Sequence, residues 1–162
     1  MLRSLLLRSL LLCFVILSPL VAQKYDGPRP PQKDVVYLLH ASNLVPTEVQ
    51  EAQQEGKKDS TTYSVPGTSS SARTPLAEPI FVIASEKISA ESLELYKFEV
   101  KSGKRELTMQ EKRRRGGPRP FRVSVTRLDN GLYKLEASET LENGEYGLSP
   151  SGSNKVFCFQ VY

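Results

Sequence analysis

Leu141-Glu142-Asn143-Gly144-Glu145-Tyr146-Gly147-Leu148 and the closing segment Lys155-Val156-Phe157-Cys158-Phe159-Gln160-Val161-Tyr162 carry the most specific architectural pattern in the chain. An acidic residue, a glycine and a tyrosine recur at alternate positions, Glu142-x-Gly144-x-Tyr146, and the next alternate position is the apolar Leu148. A period of two belongs to a strand with one face in a core. Pro150-Ser151-Gly152-Ser153-Asn154 has turn composition and leads from the first segment into the second.

The same rhythm extends back along the chain. Asp129-Asn130-Gly131 is a strong hairpin signal between residues 121–127 and 132–137, and in the first of these Arg122, Ser124 and Thr126 alternate outward. Ser102-Gly103 joins residues 93–100 to 105–109 in the same way. Within 93–100, Leu93, Leu95 and Val100 fall out of strict alternation with Tyr96 and Phe98. A bulge near Tyr96 or burial of both faces would accommodate that. Residues 80–84 read as a buried strand followed by a connecting turn at 88–92, and residues 61–65 alternate. Residues 34–40 are apolar enough for burial on both faces, with 43–47 returning beside them. About eight to nine strands with a turn every eight to twelve residues predict an all-β sandwich.

The Glu142-x-Gly144-x-Tyr146 pattern resembles the tyrosine corner of immunoglobulin-like sandwiches, and the chain is similar in general appearance to uncharacterised secreted bacterial proteins that end in such a corner and an aromatic strand. The resemblance implies a single immunoglobulin-like β-sandwich. It also implies that Gly144 lets the chain turn tightly between sheets, while Tyr146 packs its ring inward and hydrogen-bonds backbone a few residues upstream. An antibody-type domain would have Cys in place of Leu148 and a Trp on an earlier strand, and this chain has no Trp. The likeness therefore implies a fold and an address but no activity.

Residues 1–22 combine Arg3 and Arg8 with an apolar run over 10–17 and end in Ser18-Pro19-Leu20-Val21-Ala22, the layout of a secretory signal peptide cleaved after Ala22. The run is too short to span a bilayer. Removing it leaves 20 basic and 18 acidic residues, a net charge of +2, so the high isoelectric point is no nucleic-acid signature. Residues 23–33, rich in proline, read as an extended arm, either a lead-in or a segment for a partner's aromatic groove. Residues 34–162 then form one domain with a single core. Cys158, alone after cleavage, reads as a small buried residue between Phe157 and Phe159, with pairing between chains or reactivity as the alternative.

Three further stretches carry local signals. Thr47-x-x-Gln50 matches a helix capping box, so a short surface helix over residues 47–55 competes with an edge strand, although only Val49 and Ala52 are apolar there. The serine-rich residues 67–75 read as a flexible loop, and no nucleophile elbow or phosphate loop occurs in it. Lys112-Arg113-Arg114-Arg115 followed by Gly116-Gly117-Pro118-Arg119 is the sharpest electrostatic feature. It is either a solvated hairpin tip or a contact for anionic polymer, lipid headgroups or an acidic protein, with Arg119 among the contacts. No aromatic is interleaved in the run, which argues against single-stranded nucleic acid.

The sole histidine, His40, lacks neighbours with metal-ligand spacing and reads as a turn or edge residue, so no metal, cofactor or catalytic residue is expected. The expected function is a non-catalytic module, exported to the periplasm or beyond, that binds or assembles with another envelope or extracellular component. Two alternatives are a small outer-membrane barrel, since the chain ends on an aromatic residue, and a carboxylate-dependent hydrolase. Against the barrel, Cys158 and Gln160 share the face of Tyr162, and several strands are shorter than the roughly 9–11 residues a spanning strand needs.

Overall fold

A computed structural model describes residues 25–57, 59–110 and 118–162. Their secondary structure is almost entirely strand: β1 Val36–His40, β2 Asn43–Pro46, β3 Glu48–Glu51, β4 Gln53–Lys57, β5 Ser60–Pro66, β6 Arg73–Thr74, β7 Ile80–Ala84, β8 Leu93–Lys101, β9 Lys104–Gln110, β10 Val123–Asp129, β11 Leu132–Ala137, β12 Gly144–Pro150 and β13 Lys155–Val161. Among the described residues a single 3₁₀ turn, Ala90–Ser92, stands before β8. Among the described residues no helix is long and apolar enough to cross a membrane.

The strands form two sheets packed as a sandwich. One has the order β10-β11-β7-β1-β2, and the other runs β3-β13-β12-β8-β9-β5-β4 with the short β6 parallel to β13. Between them lie Val36, Leu38, Phe81, Ile83 and Leu135 from the first sheet and Leu93, Leu95, Tyr146, Leu148, Phe157 and Phe159 from the second. Phe159 meets Phe81 edge-on at 5.0 Å and stacks on Tyr146 at 5.6 Å.

The Glu142-x-Gly144-x-Tyr146 segment closes on its own backbone. The Tyr146 hydroxyl donates to the Glu142 carbonyl at 2.8 Å, so a fully buried ring keeps its polar end satisfied. Across the Ser102-Gly103 hairpin both residues have positive φ, 49° and 78°, which the right-handed twist of β8 and β9 demands of a two-residue turn.

The long sheet has a second fold-defining property. Its edge strands β3 and β4 are consecutive in the chain with only Ala52 between them, so the sheet bends until its two edges become one segment. β13, β12, β8, β9 and β5 complete the ring. A small barrel results, and its wall β8-β12-β13 is also one layer of the sandwich. Those strands are therefore buried on both faces. Leu93 and Leu95 of β8 point into the sandwich, while Phe98 joins Ala52, Val65, Val156 and Cys158 in a separate core inside the barrel. Double burial, with an unbroken register against β12, accounts for the irregular pattern of 93–100 without a bulge.

Residues 47–55 are not helical. β3 pairs with β13 through Glu51↔Lys155 to Glu48↔Cys158, and β4 pairs with β5. The capping box does not form, because Thr47 turns both its amide and its hydroxyl to the Val36 carbonyl, at 3.0 and 2.7 Å, and Gln50 bonds Glu48 instead. A helix here could bury only Val49 and Ala52, whereas ladder pairing satisfies the backbone and places Ala52 in the barrel core.

Candidate binding site

Alternate residues of the ring strands face the barrel interior, and they divide it into two unlike ends. At one end stands Arg105 of β9, fully buried. Its guanidinium Nη2 lies 2.6 Å from Glu48 Oε1 and 2.7 Å from the Pro66 carbonyl, Nη1 donates to Ser70 Oγ at 2.5 Å, and Nε reaches the Gly67 carbonyl at 3.3 Å. Glu145 lies 3.7 Å away through Oε2, which also accepts the amide and hydroxyl of Ser70 at 3.0 and 2.6 Å. Ser71 donates its amide to the other oxygen of Glu48 at 2.8 Å. Charges so buried persist only when paired and hydrogen-bonded, and these donors and acceptors supply that, except that Glu145 Oε1 has no hydrogen-bond partner.

The serine loop is consequently no free loop. Ser70, Ala72 and Thr74 are buried, and the segment lies across the barrel end as a plug. Cys158 sits behind it. Burial pushes its thiol up to about 12; Arg105 pulls the other way, and Glu48 and Glu145 add to the rise. The thiol is thus buried and protonated.

The opposite end is open. A cavity of about 190 Å³ enters the barrel there, walled by Tyr63, Tyr96, Phe98, Leu107, Met109 and Val156, with Ala52 and Gly147 at its back. Gly147 lets the Val156 and Phe98 side chains pack directly on the backbone: a Cβ there would stand 2.5 Å from Val156 Cγ1 and 2.6 Å from Phe98 Cε2. The β12–β13 turn, Ser151-Gly152-Ser153, forms one lip, and among the described residues Glu94 is the single charged one of the lining. The Tyr96 hydroxyl donates to Glu94 Oε2 at 3.0 Å. Burial, then the Glu94 hydrogen bond and charge, push that phenol up to about 12, so it keeps its proton.

The residues singled out in the sequence fare differently. Gly144 and Tyr146 meet in the corner, on the sandwich side of the wall rather than in the barrel. Lys112, Arg113, Arg114 and Arg115 lie outside the described residues. Arg119 is described, and its guanidinium is held by Glu139 through two hydrogen bonds of 3.0 and 2.7 Å. His40 closes β1 opposite Asn43, at the turn where it was expected. The proline-rich arm is tied to its own domain by Arg29–Asp129 at 2.6 Å and by Lys33–Glu86 at 2.8 Å.

Sequence reasoning missed Arg105, Glu48, Glu145 and Glu94. An arginine aligned with Leu107 and Met109 on one strand face was the only available signal, and it becomes informative only once that face is known to be enclosed. Comparison of the chain with protein-family models, with curated proteins and with solved structures finds no match.

Proposed function

We propose that the chain is an exported, non-catalytic binding module, immunoglobulin-like in its sandwich, that holds part of a ligand or of an envelope or extracellular partner in the open barrel mouth. The contrast between the two barrel ends carries this reading. One end is filled by a charge network and a loop, while the other keeps a cavity with aromatic walls and one carboxylate. Concave, mostly apolar sites with a few oriented polar groups are the usual form of ligand pockets. The carboxylate of the lining is hydrogen-bonded to the Tyr96 phenol, and no His, Cys or Lys stands among the described lining residues as a nucleophile or base beside it, which supports a binding role. The signal-like residues 1–22 support export.

A two-dimensional NMR screen of the purified protein against small aromatic and aliphatic fragments tests the site. Shift changes should centre on Tyr63, Tyr96, Gly147 and Gly152 and vanish in Met109→Trp, which fills the mouth. Changes scattered over other surfaces, or none, would remove the cavity from the proposal. Export is checked separately by N-terminal sequencing of the tagged chain from the envelope and medium fractions, where the mature protein should begin at Gln23.

A further inference from the structure

The polar groups beside Glu94 share a directional bias. Tyr96 spends its only hydroxyl proton on Glu94 Oε2. Ser149 turns its hydroxyl inward to the Lys155 carbonyl at 2.8 Å, with the Ser153 carbonyl at 3.3 Å. Ser153 Oγ takes the Lys155 amide at 3.1 Å. With the Tyr96 and Ser149 protons committed, Tyr96 Oη, Ser149 Oγ and the Glu94 carboxylate offer lone pairs to an incoming group. Among the described residues no cation pairs with Glu94, so its charge is uncompensated at the mouth. Tyr63 and Tyr96 also line the cavity, and an aromatic ring whose face meets a ligand attracts cations.

Size narrows the occupant further. An apolar cavity of about 150 Å³ holds one benzene ring. The roughly 190 Å³ here accepts one ring or branched aliphatic body and a short arm, while its walls of Phe98, Leu107, Met109 and Val156 have no use for a polar body. We infer that the cavity binds a small primary amine with a single aromatic or branched apolar body, the ammonium donating to Glu94, Tyr96 and Ser149 and the body lying against Phe98 and Leu107. This rests on the cavity being the ligand site. Three N–H donors on a compact cation match the acceptors grouped at Glu94, whereas a carboxylate or phosphate would meet the like charge of Glu94 with no cation among the described lining residues to offset it.

The test is an NMR titration with three probes of one size: 2-phenylethylamine, 2-phenylethanol and 3-phenylpropionate. The amine should bind about tenfold more tightly than the alcohol, as a charge-assisted bond would give, and the carboxylate weakest of all. Glu94→Gln, which keeps the shape, should bring amine and alcohol level. Tyr96→Phe, which keeps the ring and loses the hydroxyl, should reduce the amine preference and serves if Glu94→Gln folds poorly. Equal binding of amine and alcohol to the wild-type cavity, or preference for the carboxylate, would overturn the amine assignment and leave the cavity standing as a site. No perturbation of Tyr63 or Tyr96 by any probe would overturn both.

Discussion

The Arg105 guanidinium, with no side-chain surface exposed, lies 2.6 Å from the Glu48 carboxylate across 57 positions of sequence. The pair joins β9 to β3, strands that are not hydrogen-bonded to each other but face across the barrel interior. It also anchors the loop that closes one end. An interaction of this kind is worth most when considered as a unit, because removing one partner leaves the other charge buried and alone.

Arg105→Ala should therefore cost about 3–5 kcal/mol of stability, the range for breaking a buried ion pair. Arg105→Lys should recover only part of it. A lysine ammonium lacks the planar fork that reaches Glu48, Ser70 and the Pro66 and Gly67 carbonyls together. Urea unfolding of the two variants measures both. An Arg105→Ala variant as stable as wild type would mean that the network contributes nothing.

Acid should act on the same network. Burial raises the Glu48 carboxyl, but the Arg105 hydrogen bond, the Ser71 amide and Gln50 outweigh it and hold the group below its ordinary 4.5. The folded state thus binds this proton less readily than the unfolded chain. Its stabilising contribution is complete above about pH 4.5 and is lost as the pH falls through the lower folded value. Melting temperatures of wild type and Glu48→Gln should differ most at neutral pH and converge in acid. A gap that stays constant down to pH 2, or about that, would contradict the linkage.

Tyr146→Phe should destabilise by about 1–3 kcal/mol, because it leaves the Glu142 carbonyl without its donor while changing the packing against Phe159 and Phe121 very little. An unchanged denaturation midpoint would show that the corner hydroxyl has no structural weight.

The Glu139 carboxyl should titrate near 2, pulled down first by the Arg119 guanidinium and then by the Arg122 amide. Carbon-detected NMR titration reads this directly. In Arg119→Gln the titration should move back toward 4.5, the ordinary value of the group. A Glu139 that titrates normally in the wild type would mean that Arg119 is released in solution, as an anion contact requires.

The residues with the best local signals were the most legible. Asp129-Asn130-Gly131 and Ser102-Gly103 turn as read, and residues 80–84 and 132–137 match β7 and β11 end to end. The Tyr146 hydroxyl reaches backbone four residues upstream, a contact of the kind the resemblance implied. Such signals work because turn geometry and strand alternation are set by residues within a few positions of one another. The capping box at Thr47 failed for a related reason. Its four residues could not report that Val36, from the preceding strand pair, would take the Thr47 hydroxyl.

The sequence by itself determined the all-β character of this protein, most of its strands and hairpins, and the corner that locks β12, since each depends on the conformational preferences of adjacent residues and on a period of two. Only the tertiary structure decided that the long sheet closes through Ala52, that Arg105 is buried between Glu48 and Glu145, and that Glu94 borders a cavity. Alternation along a strand distinguishes two faces but does not say which becomes an interior. A face lined by Arg105, Leu107 and Met109 looks half-exposed in sequence, and it becomes the inside of a barrel when the other strands of the long sheet curl round to meet it.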